Sequence, residues 1–151
     1  MVGIKVIAKN KRAGFDFFLQ EKFEAGLVLQ GTEIKVLRLG KVNISDSYVT
    51  VDAQGEAWVY NVQIPHYEFG NIHNHREDRP RKLLLHSEEI VKIFHQAKAK
   101  NLTVVATMIC FKGSRVKLEI ALAKGKKLHD KRDTEAKRDV ERKIQKGQYD
   151  F

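Results

Sequence analysis

The chain has 151 residues, of which 42% are hydrophobic and 9% aromatic, the size and make-up of one folded domain with a possible appendage rather than a disordered chain. Lys and Arg number 28 against 19 Asp and Glu, a net charge of +9. No apolar run approaches the roughly 18–20 residues that a membrane-spanning helix needs, and the expectation is no membrane partner. The stretch Met1–Asn10 carries Lys5 inside a short apolar segment and is not a secretory signal. A single cysteine, Cys110, leaves no internal disulfide and no Cys-x-x-Cys pair for zinc. A cytoplasmic protein with a polyanionic partner, nucleic acid first, is the expected class.

In chain order, Phe15 to Leu29 is rich in aromatic and aliphatic residues and reads as the first strand, with Gly26 marking a bulge or bend. Thr32 to Leu39 reads as a short helix capped by Thr32 and stopped by Gly40. Tyr48–Val51 and Glu56–Ile64 are strands joined by the turn Asp52-Ala53-Gln54-Gly55. Residues 65–82 have no period and read as a long loop. Ser87 is expected to cap a second helix, with Glu88 and Glu89 at its positive end and Ile90, Ile93, Phe94 and Ala97 as its buried stripe. The clearest segment is 103–123. Val116, Leu118, Ile120 and Leu122 alternate with Lys117, Glu119, Ala121 and Ala123, opposite the apolar strand Thr103–Phe111, across the turn Lys112-Gly113-Ser114. Helices among antiparallel strands at this length predict a mainly β protein, a small closed barrel of OB type with added short helices.

Composition breaks near Lys124. Residues 1–123 hold 18 basic and 13 acidic side chains; residues 124–151 hold 10 and 6, with few large apolar groups. The expected organisation is a barrel domain over 1–123 and a basic tail over 124–151. In the tail Ala136, Val140 and Ile144 recur at helical spacing. One thin stripe cannot hold an isolated helix in water, so the tail is expected to be disordered alone and helical when bound.

No constellation for catalysis stands out. There is no P-loop, Gly-x-Ser-x-Gly or His-Glu-x-x-His run, and no catalytic residue, cofactor or metal is expected. His66, His73 and His75 form a weak metal pattern whose plainer reading is a solvated or RNA-facing loop. Cys110 reads as a small core residue. His129-Asp130 lies in a flexible tail, where nothing positions an acid–base pair. More informative are the basic clusters Asn10-Lys11-Arg12, Arg38 with Lys41, and Arg76, Arg79, Arg81 and Lys82. Beside turns of a barrel they read as a surface for phosphates. Tyr48, Trp58, Tyr60 and Tyr67 are candidates for stacking on bases, with core packing an equal reading for Trp58.

Four ordered motifs carry a resemblance. They are Phe23-Glu24-Ala25-Gly26-Leu27 running on to Leu37-Arg38, then Gly40-Lys41-Val42-Asn43-Ile44-Ser45-Asp46-Ser47-Tyr48, then Arg81-Lys82-Leu83-Leu84-Leu85, and last Lys124-Gly125-Lys126-Lys127-Leu128-His129-Asp130-Lys131-Arg132. Together they resemble the small protein B family, the bacterial transfer-messenger-RNA-binding proteins of trans-translation, over nearly the whole chain. The resemblance implies a six-stranded antiparallel OB-like barrel with a basic C-terminal tail. It implies a non-enzymatic adaptor that binds the tRNA-like domain of transfer-messenger RNA and brings it to stalled ribosomes for rescue and tagging. Elongation factor Tu would join through the complex, and the protein would be a monomer. The RNA-binding positions carried over or placed on that surface are Asn10, Lys11, Arg12, Glu24, Arg38, Lys41, Tyr48, Arg81, Lys82, Leu84 and His86. His86 stands where the family often has asparagine. Gly125, Lys126, Lys127, His129, Asp130, Lys131 and Arg132 match the tail motifs expected near the decoding centre and small-subunit ribosomal RNA. The remainder, to Phe151, is expected to form a helix in the messenger channel. A generic OB-type single-strand binder or ribosomal protein explains charge and barrel but not four ordered motifs. A metal-dependent nuclease lacks the acidic ligands it needs.

Overall fold

A computed structural model describes residues 3–70, 74–127 and 131–132. In chain order the elements are β1 Ile4–Lys9, α1 Lys11–Asp16, β2 Phe17–Leu27, α2 Gly31–Arg38, β3 Tyr48–Val51, β4 Ala57–Tyr60, β5 Arg81–Leu84, α3 Ser87–Ala99, β6 Thr103–Lys112 and β7 Arg115–Gly125. The sheet runs β1-β6-β3-β4-β5-β2-β7, and β6 also pairs with β7. That extra pairing joins the two ends, so six antiparallel strands close on themselves and β1 extends one edge of β6. Closure removes the open strand edges on which another chain would template.

The expected mainly β architecture with added helices holds, with local differences. Two elements, β1 and α1, precede the strand expected to come first, and Phe15 and Asp16 belong to α1. The helical turn is short and starts on Asn10, whose Oδ1 accepts the Ala13 N–H at 3.1 Å. That is ordinary N-cap chemistry. The register shift of β2 lies between Leu19 and Lys22, not at Gly26. Gly26 instead stands where β2 passes from β7 to β5, opposite both Lys117 and Leu84. A Cβ there would sit 3.2 Å from that of Leu84, a tight approach that Leu84 would have to yield to by a few tenths of an ångström.

Helix starts also move by a residue or two. Gln30, not Thr32, caps α2, and its N–H donates to Glu33 Oε1 at 2.8 Å. His86, not Ser87, caps α3, and its N–H donates to Glu89 Oε1 at 3.1 Å. In both cases a glutamate three positions on reaches back to the cap. β4 ends at Tyr60, short of the expected Ile64, because Asn61 takes a left-handed φ of 62°. The long loop yields its last two residues to β5. Lys112-Gly113-Ser114-Arg115 closes β6 on β7 as expected, with Gly113 at φ 62°.

The core is the barrel interior. Phe23, Ala25, Val59, Leu83, Val104, Ala106, Ile109, Leu118, Ile120 and Leu122 fill it, and Val36 and Leu37 of α2 and Ile93 of α3 join the same cluster. The other face of β6 and β7 holds a second small cluster of Ala13, Val105 and Ala123, with Phe17 and Leu19 against it. Ala123 of β7 is thus as buried as the β7 leucines because Ala13 of α1 packs on its face. The stripe expected for α3 holds at Ile93, but Phe94 stands 45% exposed and is not part of it. Cys110 is buried, as expected, and burial raises its thiol pKa.

One charged pair lies wholly inside. Glu33 on α2 and Arg81 on β5 are both fully buried. Arg81 Nε donates to Glu33 Oε2 at 2.5 Å, Nη1 to the Val62 carbonyl at 2.6 Å and Nη2 to the Glu77 carbonyl at 3.0 Å. Arg79 also donates from Nε and Nη2 to the same carboxylate. Burial alone would raise the Glu33 pKa. The hydrogen bonds from Arg79, the Gln30 N–H and Arg81, with the Arg81 charge, outweigh it and hold the carboxyl below its ordinary value.

Removing one member of such a set leaves buried charge uncompensated. Glu33→Ala is expected to lower the unfolding free energy by about 3–5 kcal/mol, read as a drop in the urea midpoint. Because the folded pKa is depressed, the Glu33 contribution is complete above the ordinary carboxylate range and is lost as pH falls through the lower folded value. Glu33→Gln should therefore lose less stability than wild type across that acid window. Equal urea midpoints and parallel acid profiles would contradict the role assigned to this carboxylate.

Candidate nucleic-acid interface

The outer surface sorts the expected residues into two faces and an interior set. Around α1, Lys11 and Arg12 are exposed, and Arg12 Nε lies 3.4 Å from Asp16 Oδ2. Tyr48 at the start of β3 is 39% exposed and stacks on Tyr60, with ring centres 5.4 Å apart and planes 11° off parallel. A cleft lined by Asp16, Phe17, Ser45 and Tyr48 joins it to α1. The chain leaving β7 arrives at this face. Gly125 pairs with Phe17, so the ladder runs two residues past the expected boundary at 123. The Lys126 N–H donates to the Asp16 carbonyl at 2.9 Å and its Nζ to the Gly14 carbonyl at 3.1 Å, while Nζ stands 4.9 Å from the centre of the Phe18 ring. Lys131 N–H donates to the Lys127 carbonyl at 3.2 Å, and Lys131 Nζ lies 3.3 Å from Asp16 Oδ1. Asp16 thus gathers Arg12 and Lys131. Arg132 is exposed. His129, Asp130 and residues 133–146 of the expected tail helix lie outside the described residues, as does His73.

The second face is built on β2 and β5. Glu24 is exposed and forms a close ion pair with Lys112, which raises the Lys112 pKa through that hydrogen bond. The Glu24 carboxylate thus has the Lys112 amine as its partner. Leu84, 57% exposed, lies over Gly26, two residues along β2 from Glu24. Lys82 shares its side of β5 and pairs with Glu56 at 3.2 Å. His86 follows, exposed at the start of α3. Across the β6–β7 turn, Arg38 lines a hollow with Lys5, Phe111, Gly113 and Ser114. Lys41, three residues beyond Arg38, is exposed.

Two expected contact residues do not belong to either face. Arg81 is 0% exposed and all its bonds point inward, so it cannot reach a phosphate. Asn10 is 8% exposed. Besides capping α1, its Nδ2 donates to the carbonyls of Ala106 at 2.8 Å and Ile44 at 3.2 Å. It pins three parts of the chain together and has nothing left for a ligand. Signals for both existed. Arg81 is two residues before Leu83 on the same strand face, and Asn10 precedes a helical turn.

The aromatic and histidine candidates divide similarly. Trp58 is half-buried and its indole N–H donates to Asp52 Oδ2 at 2.9 Å, so it fastens the β3–β4 hairpin. His75 is buried, not solvated. Its Nε2 meets the Ile64 carbonyl at 2.8 Å and its Nδ1 meets Thr32 Oγ1 at 2.9 Å. A carbonyl only accepts, so Nε2 carries the proton and Nδ1 accepts from the threonine. Among the described residues no group of three His, Cys, Asp or Glu side chains is placed to hold a metal.

The division predicts opposite phenotypes for neighbours. Asn10→Ala is expected to cost about 1–3 kcal/mol in stability, since three backbone partners lose a buried donor or acceptor. Lys11→Ala with Arg12→Ala should leave the melting temperature within about a degree and weaken binding to a folded RNA instead. Calorimetry and a filter-binding titration on the same samples separate the two; a shared phenotype would argue against the split.

Comparison with known proteins places the chain. The family model described as SmpB protein matches residues 7–149. An SsrA-binding protein of Carboxydothermus hydrogenoformans is 49% identical over 143 residues, covering 95% of each chain. One from Geotalea uraniireducens is 51% identical over 140 residues, covering 93% of this chain and 92% of that one. Among solved structures, a chain from "tmRNA-SmpB: a journey to the center of the bacterial ribosome" superposes with a TM-score of 0.67 at 38% identity, covering 80% of this chain and 85% of that one. With a family model spanning the barrel and the tail, and relatives at half identity over nearly full length, this chain belongs to the SmpB protein family.

Proposed function

We propose that the chain is the RNA-binding adaptor of trans-translation. It binds the tRNA-like domain of transfer-messenger RNA and delivers it to stalled ribosomes for rescue and tagging of the nascent chain. The observation that carries this reading is family membership along the whole chain, since the relatives are SsrA-binding proteins and the solved neighbour is a tmRNA-SmpB complex of the bacterial ribosome. The surface chemistry supports it. A rigid closed barrel presents separate cationic faces, and structured RNA is read largely by shape and backbone contacts. On this reading Lys11, Arg12 and Tyr48 form one RNA-facing set, and Lys112 held by Glu24, with Arg38, Lys41, Lys82, Leu84 and His86, forms another.

The tail takes a second role. Gly125, Lys126, Lys127, His129, Asp130, Lys131 and Arg132 serve the decoding centre, and the segment to Phe151 folds as a helix in an empty messenger channel. Ordering a charged segment costs conformational entropy, so it occurs only where ribosomal RNA phosphates offset that cost. A resident messenger blocks the site sterically and by charge. The protein acts as a cytoplasmic monomer without catalytic activity, and elongation factor Tu meets it through the RNA complex.

Two measurements test this. Labelled tRNA-like domain is titrated with the protein at physiological salt against excess elongator tRNA. Elongator tRNA should fail to compete, and affinity should fall steeply as salt rises; mole-for-mole competition would reduce the protein to a generic OB-type binder. Separately, Asp130→Ala, Lys131→Ala and Arg132→Ala combined should abolish tagging in a reconstituted system and leave affinity for the tRNA-like domain within about threefold, or well under 1.4 kcal/mol. Loss of both activities together would refute the division between barrel and tail.

A further inference from the structure

Two of the most exposed large apolar side chains lie on neither face described above: Phe69 at 71% and Leu39 at 63%. Leu39 follows Lys35 by four residues, one turn of helix, at the end of α2. Lys35 Nζ stands 5.2 Å from the centre of the Tyr67 ring. Tyr67 and Phe69 meet edge to face, with centres 5.5 Å apart and planes at 72°. Lys35, Tyr67 and Phe69 therefore form one run of cationic and aromatic groups beside α2.

The loop that presents Phe69 is braced. Asn74 Oδ1 accepts the Tyr67 N–H at 2.9 Å, and Asn74 Nδ2 donates to the Tyr67 carbonyl at 2.6 Å. The Gly70 N–H donates to the same carbonyl at 3.0 Å. The next residue, His75, is buried and tied to Thr32 and Ile64. Tyr67 is half-buried beneath Lys35, so the ring behind Phe69 is fixed while Phe69 stands in water. A lone exposed apolar residue needs no explanation. A phenyl ring held outward on a braced turn, backed by a second ring and a lysine, has the parts of a base-stacking site: a free π-face and an amine for the adjoining phosphate.

We propose that Phe69, backed by Tyr67 and flanked by Lys35, stacks on an unpaired nucleobase of an RNA partner. This rests on the RNA-adaptor reading and adds to it a third contact. A protein partner is disfavoured because Lys35 belongs to the run, whereas a protein-binding centre is desolvated and poor in lysine. Glu68, between the two rings in sequence, is the one carboxylate in this stretch of loop and opposes an anion. The base belongs either to transfer-messenger RNA or to ribosomal RNA, and the chemistry is the same for both.

The test uses the full chain with Phe69→Ala, Phe69→Leu, Phe69→Tyr and Lys35→Ala, each titrated against two probes: tRNA-like domain transcript and small ribosomal subunits lacking messenger. Phe69→Ala is expected to weaken binding about 5- to 150-fold for the probe that supplies the base. Phe69→Tyr should keep wild-type affinity and Phe69→Leu should fall with alanine, because leucine keeps apolar area but not a flat π-face. Lys35→Ala should reduce the salt slope for that same probe by about one. A loss confined to the transcript assigns the base to transfer-messenger RNA; one confined to subunits assigns it to ribosomal RNA. Leucine that binds like phenylalanine, or alanine that binds like wild type on both probes, overturns the stacking site. If elongator tRNA competes mole for mole and Lys11→Ala with Arg12→Ala leaves binding unchanged, the adaptor reading itself fails, an outcome separate from a flat Phe69 series.

Discussion

The buried carboxylate of Glu33 is the constraint on which the remaining architecture depends. α2 packs Val36 and Leu37 into the core and buries one charged group beside them, and that charge is tolerable only with Arg81 and Arg79 on it. Arg81 in turn binds the carbonyls of Val62 and Glu77, which lie near the two ends of the connection between β4 and β5. One network thus ties the helix to the strand after it and to the long loop between. It adds to the Ile64 N–H to Glu77 carbonyl bond that closes the base of the same loop.

That anchoring decides what the surface presents. Once α2 is seated, Arg38 faces the β6–β7 turn and Lys35 faces Tyr67. Asn10 does the same work on the opposite flank, joining α1 to β6 and to the segment before β3. Polar side chains in this protein therefore divide by burial. Inside, Glu33, Arg81, Asn10 and His75 hold the frame with every bond satisfied. Outside, among the described residues, Lys112 pairs with exposed Glu24 and Lys131 with half-buried Asp16. Such exposed pairs are worth little in water and give way readily to phosphate. A rigid frame with weakly committed cations suits an adaptor that docks on folded RNA.

Much of this was legible in the residues themselves. The alternation in β7, the apolar run of β6, the hairpin after Val51 and the composition break near Lys124 each report local physics, and the ordered motifs identify the family. Other features were not legible. Arg79, Arg81 and Lys82 look alike as a basic cluster, yet one is fully buried and one pairs with Glu56 at the surface. Phe94 fits the helical stripe of α3 but lies outside it, because Ile93 and Ala97 reach the core cluster while Phe94 stays 45% exposed. The β1 strand was hidden in a segment whose alternation is weak and whose only partner is β6.

The amino-acid order by itself determined the mainly β class, two antiparallel hairpins, the helices α2 and α3, the basic composition of the C-terminal segment and the family, because each is written in spacing over a few residues or in motifs of fixed order; β1, α1 and β5 were not among them. The tertiary structure alone decided which charges face water. The partner of Arg81 lies 48 positions earlier and that of the Asn10 amide 96 positions later. No local pattern specifies a contact across such a separation. Only closure of the barrel brings those groups within hydrogen-bonding distance, and only then does a basic or polar residue become part of the frame or part of the interface.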